Sequence, residues 1–331
     1  MGVRGLTTFI ANRSSQYLER HELHDCYLVV DGNSIASQLY RWHCRCNDCF
    51  GGDYDKYANV INSFVELLFD CGITPLVIFD GAYEKRKLKT VFSRMKNKLS
   101  AARDINSVTE GSVPVFPLFL REVFVDILLK LRVKCVRCDF EGDGDAAFLA
   151  KNLNCPLLSY DSDFYIFDVV YIPFSNMDLR LRKKKDVNYI ACEVYKVDKF
   201  LSSFGGLDKL KIQKSKDNEQ QRMIKSVIMW LKNETPESAL RKILGRYKLQ
   251  RRKKLADKIQ LAIEGYQCVN TQICSCFNVD LNSKQENRIT VPKAEEIEAV
   301  VDEDGGSEDP EQDSEEEKIS ENAFTHHVLW I

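Results

Sequence analysis

The stretch "CDFEGDGDAAFLAKNLNCPLLSYDSDF", Cys138 to Phe164, holds six carboxylates: Asp139, Glu141, Asp143, Asp145, Asp161 and Asp163. Most of them flank apolar runs rather than an open polar segment. Like charges gathered at the edge of a core repel one another, and burial penalises each ionised form. Their crowding therefore calls for a compensating partner. Reading outward, "CYLVVD" (26–31), "TPLVIFD" (74–80), "VKCVRCD" (133–139) and "PLLSYD" (156–161) are short apolar runs that read as buried strands, each closing on an acid.

Helical patterns separate these runs. In "YDKYANVINSFVELLFDCG" (54–72), Tyr57, Val60, Ile61, Phe64, Leu67 and Leu68 fall on one face, and Gly72 is a stop signal. "AYEKRKLKTVFSRMKNKLSAARD" (82–104) reads as a strongly basic helix. "PLFLREVFVDILLKLRV" (117–133) opens on Pro117 and carries a broad apolar face, and "GDAAFLAKNL" (144–153) is a fourth helix. Strands alternating with helices predict an α/β layered fold with a mostly parallel sheet.

The fold would collect the acids. In parallel α/β sheets the ligand end is the carboxyl end of the strands. Asp31, Asp80, Asp139 with Glu141, and Asp161 with Asp163 would all arrive there. Each acid alone is as well read as a cap or turn residue, and Asp31 and Asp80 both precede Gly. Together they favour a hard divalent cation held by oxygen ligands, the usual setting of phosphoryl transfer.

The charge balance supports a polyanionic partner. The formal net charge of −2 hides fourteen acids and one base, Lys318, in residues 294–322, so the rest of the chain carries an excess of about eleven bases. The acidic tract is poor in aromatics and reads as disordered. No apolar run approaches the ~20 residues of a membrane span. The opening "MGVRGL" lacks a secretory apolar region, and Leu6 stands where a myristoylation signal wants Ser or Thr. Among the twelve cysteines, "WHCRCNDCF" (42–50) is the densest group; its spacing matches no common zinc module, and free thiols are the favoured reading.

At this point the motifs resemble a family. "MGVRGL", "VVDGNS", "VIFDGAY", "EGDGDAAFLA" and "SYDSDF" are similar, in order, to the elements of flap-endonuclease/XPG-like nucleases, and within them to the asteroid family. The resemblance covers residues 1 to about 208. It implies a PIN-like three-layer fold, followed here by a helical region and the acidic tail. It also implies a metal site of Asp31, Asp80, Glu141, Asp143, Asp161 and Asp163 for one or two Mg²⁺ (or Mn²⁺) ions. Asp145 is an extra acid where the family more often has a neutral residue. The basic helix after Asp80 resembles the family's gateway helix, which implies that Lys87 and Arg94 meet the scissile phosphate, with Lys85, Arg86 and Lys89 nearby. For the outer lysines, plain solvated charge is the favoured reading.

The pattern then breaks. "KVDKFLSSFGGLDK" (196–209) looks like the approach to a family segment whose Gly-x-Asp turn completes the metal site, but "LKIQKSKDNEQQRM" follows with no such turn. The chain reads as a shortened form. Beyond it, "RYKLQRRKKLADK" brings Arg251, Arg252, Lys253 and Lys254 together; they could contact phosphates, act as a nuclear-localisation cluster, or face solvent. The expected organisation is a nuclease core over 1–175, a partial, mostly helical C-terminal nuclease region over 176–293, and the tail over 294–331. The expected function is a metal-dependent endonuclease on single-stranded, flap or overhang DNA, in DNA repair and in the nucleus, with DNA-repair proteins as partners. The alternative is a catalytically impaired nucleic-acid-binding or interaction protein.

Overall fold

Extended apolar runs buried in a core satisfy their backbone by pairing with neighbouring strands, and here they do so within one eight-stranded sheet. The computed structural model describes residues 6–44, 51–105, 115–202, 227–228, 256–257, 266 and 272–278. The chain opens with the short helices α1 (Leu6–Ala11) and α2 (Ser14–Tyr17) and then β1 (Leu18–Leu23). β2 (Tyr27–Asp31) leads into α3 (Gly32–Leu39) and α4 (Tyr54–Asp70). β3 (Thr74–Phe79) is followed by α5 (Leu88–Arg103), α6 (Leu120–Lys130) and β4 (Lys134–Arg137). α7 (Asp143–Asn152), β5 (Leu157–Ser159) and β6 (Tyr171–Pro173) come next. β7 (Met177–Lys184), β8 (Val187–Tyr195), α8 (Val197–Ser202) and α9 (Gln272–Cys276) complete the described elements.

The sheet order is β1-β8-β6-β5-β2-β3-β4, with β7 paired to β8. β2 runs parallel to β3 and β5, β3 to β4, and β5 to β6; β8 is antiparallel to β1, β6 and β7. Side chains alternate across β2. Val29 joins the layer formed with α1 and α7, while Leu28 and Val30 join the layer of α3, α4 and α6. On α4, Tyr57, Ile61, Phe64, Val65 and Leu68 are buried, each contributing about 1.5–3 kcal/mol of transfer free energy when an aliphatic or Phe side chain is fully removed from water. α4 ends where expected, because Gly72 takes φ +67°, a conformation that costs a side-chain-bearing residue.

Two expectations are corrected. The core does not close at residue 175: β7 and β8 extend the sheet through a stretch read as mostly helical. Their alternation was masked by charge, since "MDLRLRKK" ends in exposed residues, four of them bases, while Met177 and, on β8, Ile190, Cys192 and Val194 are buried. Lys185 and Asp186, both at positive φ, make the tight turn between them. The basic helix also starts later than its sequence pattern, after a 3₁₀ turn over Lys85–Lys87. The acidic tail, residues 1–5, the Arg251–Lys254 cluster and Cys46 and Cys49 lie outside the described residues. All nine described cysteines are free thiols. Among the described residues, no helix is long and apolar enough to cross a membrane.

Candidate active site

Because β2 to β5 are parallel, their carboxyl ends share one edge of the sheet, and the acids meet there. Asp31 closes β2 and caps α3, accepting from the Ser34 N–H at 3.1 Å. Its other oxygen accepts from the Ser159 hydroxyl at 2.6 Å. Burial pushes the Asp31 carboxyl up to about 7, against these two donors and with Asp80 and Asp161 adding to the rise. Ser159 is itself fully buried at the end of β5 and also accepts from the Asp161 N–H at 3.0 Å. One hydroxyl thus ties two strand ends together.

Asp80 follows β3 and accepts from the Gly142 N–H at 2.7 Å, which fixes the start of α7 against it. Its carbonyl accepts from the Arg121 guanidinium at 3.0 Å, and that guanidinium lies 5.3 Å from the Phe79 ring centroid. Gly81 is required by space rather than by its backbone angle: a Cβ there would stand 1.8 Å from the Cys138 carbonyl oxygen and 2.5 Å from that of Asp139. Gly81 and Ala82 instead donate to the carbonyls of Phe140 and Asp139. Gly81→Ala should therefore cost about 3 kcal/mol of stability, as overpacking against rigid backbone does. Urea unfolding of the variant measures this, and an unchanged midpoint would mean that the loop yields easily.

Asp143 stands in the first turn of α7, where the helix N-terminus favours negative charge. Its carboxyl is nevertheless held well above the ordinary range, first by burial and then by Asp31, Asp161, Asp80 and Asp163. That list of neighbours is the expected acid cluster. Glu141 is half-buried and ion-paired with Lys87. Asp145, the extra acid, turns elsewhere: its carboxylate hydrogen-bonds the buried Cys138 thiol. Asp139 is exposed and contributes its carbonyl to the Ala82 N–H.

Asp161 accepts from the Asp163 N–H at 3.0 Å, and the Tyr171 hydroxyl donates to its carbonyl at 3.0 Å. Its carboxyl is raised by burial and then by Asp163, and lowered by Arg94 among others. Asp163 is 2% exposed and accepts from the Tyr266 hydroxyl at 3.2 Å. Tyr266 packs on Phe167 at 5.3 Å between centroids. Ser159, Arg121, Tyr171 and Tyr266 were not foreseen from sequence. A serine at a strand end was the one signal available, and nothing in the sequence joins Tyr266 to residues a hundred positions earlier.

Of the basic residues, Lys87 reaches the acids and Arg94 is felt by Asp161, whereas Lys85 and Lys89 are exposed. The Arg86 side chain lies outside the described residues, as do Arg251, Arg252, Lys253 and Lys254. Among the described residues, no three His, Cys, Asp or Glu groups stand close enough to hold a metal ion as placed. Donors of the chain engage Asp31, Asp80, Glu141, Asp161 and Asp163 individually. The donor set is nonetheless all oxygen; Asp163 is buried, the others are half-buried, and Asp31, Asp143 and Asp161 are raised by neighbouring acids, which fits a hard divalent cation such as Mg²⁺. Beside it, the Tyr160 ring is 36% exposed and rests edge-on against Trp42 at 4.9 Å, with Trp42 stacked on Phe174 at 5.5 Å.

The XPG N-terminal domain family matches residues 1–101. Protein asteroid of Drosophila melanogaster is 33% identical over 400 aligned positions, covering 97% of this chain and 45% of that protein. The human single-strand DNA endonuclease ASTE1 is 37% identical over 215 positions, covering 63% of this chain and 31% of its own length. The chain thus spans less than half the length of either relative. Since this chain has 331 residues, at least 69 of the 400 positions aligned with the fly protein have no counterpart here. Among solved structures, the catalytic core of Rad2 in complex with DNA substrate aligns at a TM-score of 0.41 and 15% identity, covering 86% of this chain and 88% of that one. The ordered acidic motifs and these two sequence relatives establish that the chain belongs to the asteroid family and has its XPG-like nuclease fold.

Proposed function

We propose that the chain is a divalent-metal-dependent, structure-selective DNA endonuclease that hydrolyses phosphodiester bonds in single-stranded, flap or overhang DNA. The observation that carries this is positional: Asp31, Asp80 and Asp161 follow the carboxyl ends of the parallel strands β2, β3 and β5, and Asp143 opens α7 near enough to them for their charges to raise its carboxyl. The human relative named as a single-strand DNA endonuclease supports the same reading. When bound, one or two Mg²⁺ or Mn²⁺ ions would activate water and stabilise the leaving oxygen. Asp31, Asp80, Glu141, Asp143, Asp161 and Asp163 would hold them. The Ser159 hydroxyl and the Gly142 N–H each hold one carboxylate oxygen, of Asp31 and of Asp80, in place. Arg94 and Lys87 supply the positive charge that the phosphate meets; Lys87 must exchange Glu141 for it. A nuclear setting in DNA repair belongs to the proposal and is tested by following the tagged chain in cells before and after DNA damage.

The direct test is cleavage of end-labelled single-stranded, flapped and duplex DNA with Mg²⁺, Mn²⁺ or EDTA. Metal-dependent cutting of unpaired DNA is the expected result. A second reading, a binder without turnover, is favoured by Tyr266 occupying Asp163 and by the missing aligned positions. Binding that persists with no cleavage under any metal would select it. In either case Tyr160→Ala should weaken single-strand binding by about 1–3 kcal/mol, the usual worth of one base–aromatic stack, and leave duplex binding alone. Titrations of both DNAs at two salt concentrations measure this; equal losses on both would remove Tyr160 from the interface.

A further inference from the structure

Helix α5 buries none of its sixteen residues, yet it is not polar. Leu88, Phe92, Met95 and Leu99 recur at spacings of four, three and four, so they form one stripe within a sector of about 60°. Phe92 is 65% exposed, Met95 53% and Leu99 67%. Lys89, Lys96 and Arg103, spaced by seven, run along one side of that stripe. Lys87 and Arg94, also seven apart, run along the other side, toward the acids. From Leu88 to Arg103 there are five bases and no acid.

One segment of the chain has the complementary composition. Residues 294–322 carry fourteen acids against one base, and "FTHHVLWI" (324–331) then supplies Phe324, Val328, Leu329, Trp330 and Ile331. We propose that residues 324–331 dock on the apolar stripe of α5, with the acids before them lying against Lys89, Lys96 and Arg103. Hydrophobic burial and charge neutralisation then act together on one helix face. A second copy of α5 fits less well, because pairing two stripes would bring two basic lines together. DNA would meet the bases but would leave the stripe in water. Reach is no obstacle: 45 residues lie between Asn278 and Phe324, a contour of about 150 Å at ~3.3 Å per residue. Covalent linkage also raises the local concentration of the segment.

The docking is read without any activity, so it stands or falls apart from the nuclease proposal. The experiment replaces Phe92, and separately Leu99, with a photo-crosslinking benzoylphenylalanine in the full chain. Both positions are exposed, so the fold is not at stake. Irradiated mixtures of ¹⁵N-labelled and unlabelled chain are mapped by mass spectrometry. The expected result is a crosslink to residues 324–331 of the same molecule, whose yield falls at least fivefold in Trp330→Ala. Crosslinks between copies, crosslinks to any other segment, or none at either position would overturn the proposal.

Discussion

Asp143→Asn is expected to abolish cleavage, by about 10³-fold or more, and at the same time to raise the melting temperature of the metal-free protein at pH 7. The first effect follows from the proposed role of Asp143 as an oxygen ligand. A cation's stabilisation of developing phosphate charge is worth several kcal/mol, which corresponds to about 10³ in rate. The second follows from the repulsion that lifts Asp143. Burial and four neighbouring acids hold its native carboxyl well above the ordinary value. Asparagine keeps the shape and removes the charge, so the neighbours lose a repulsive partner.

The sign of the pH dependence can be stated. A carboxyl raised in the native state binds protons there that the unfolded chain has already released, so stability falls as pH rises between the two pKa values. For Asp31 that window opens near the ordinary 3.8 and closes at about 7. Melts in EDTA should therefore show wild-type stability declining from about pH 4 to pH 7, and Asp143→Asn should flatten the decline. Added Mg²⁺ should restore wild-type stability at pH 7 more than that of the variant. A variant with an unchanged pH slope would mean that the acids do not interact as a cluster. Asp80→Ala should also lose cleavage, but without the stability gain. Its carboxylate holds the Gly142 N–H at 2.7 Å, and an unsatisfied buried donor costs about 1–3 kcal/mol.

Four of the five parallel strands, β2 to β5, were legible because each closes an apolar run on an acid; β2, β3 and β5 are buried along most of their length, the pattern of a strand covered on both faces, while the edge strand β4 is half-buried. The three-residue β6, β1 and the β7–β8 hairpin were not. "LERHEL" and "MDLRLRKK" lie toward the solvated side of the sheet, and their charges conceal the period of two. The acids themselves could be read from the topology, since parallel strand ends must share an edge. What holds those acids could not. Ser159 reaches Asp31 across 128 positions and Tyr266 reaches Asp163 across 103, contacts that exist only once the sheet is assembled. Asp145 shows the limit from the other direction. Two residues from Asp143 on a helix is a turn of about 200°, so it faces the Cys138 thiol instead.

Lys87→Ala and Arg94→Ala are expected to slow single-turnover cleavage by about 10²–10³ while changing DNA affinity only slightly. That magnitude is the usual cost of losing one donor aimed at developing charge in a preorganised site. Affinity should be spared because the excess of about eleven bases outside the acidic tract provides the general attraction, and one fewer alters it little. The two residues act from different starting points. Lys87 is held on Glu141, so its loss also frees that carboxylate and should make cleavage more sensitive to metal concentration. Arg94 is exposed on α5 and bears on Asp161 through its charge. It can turn its planar fork to two phosphate oxygens at once, which a lysine ammonium cannot do, so Arg94→Lys should remain impaired. Rates at saturating enzyme in Mg²⁺, set beside binding titrations in Ca²⁺, separate chemistry from affinity. Equal losses in rate and affinity for both variants would mean that the two residues only hold DNA. A normal rate in Arg94→Lys would mean that a point charge is enough at that place on the helix.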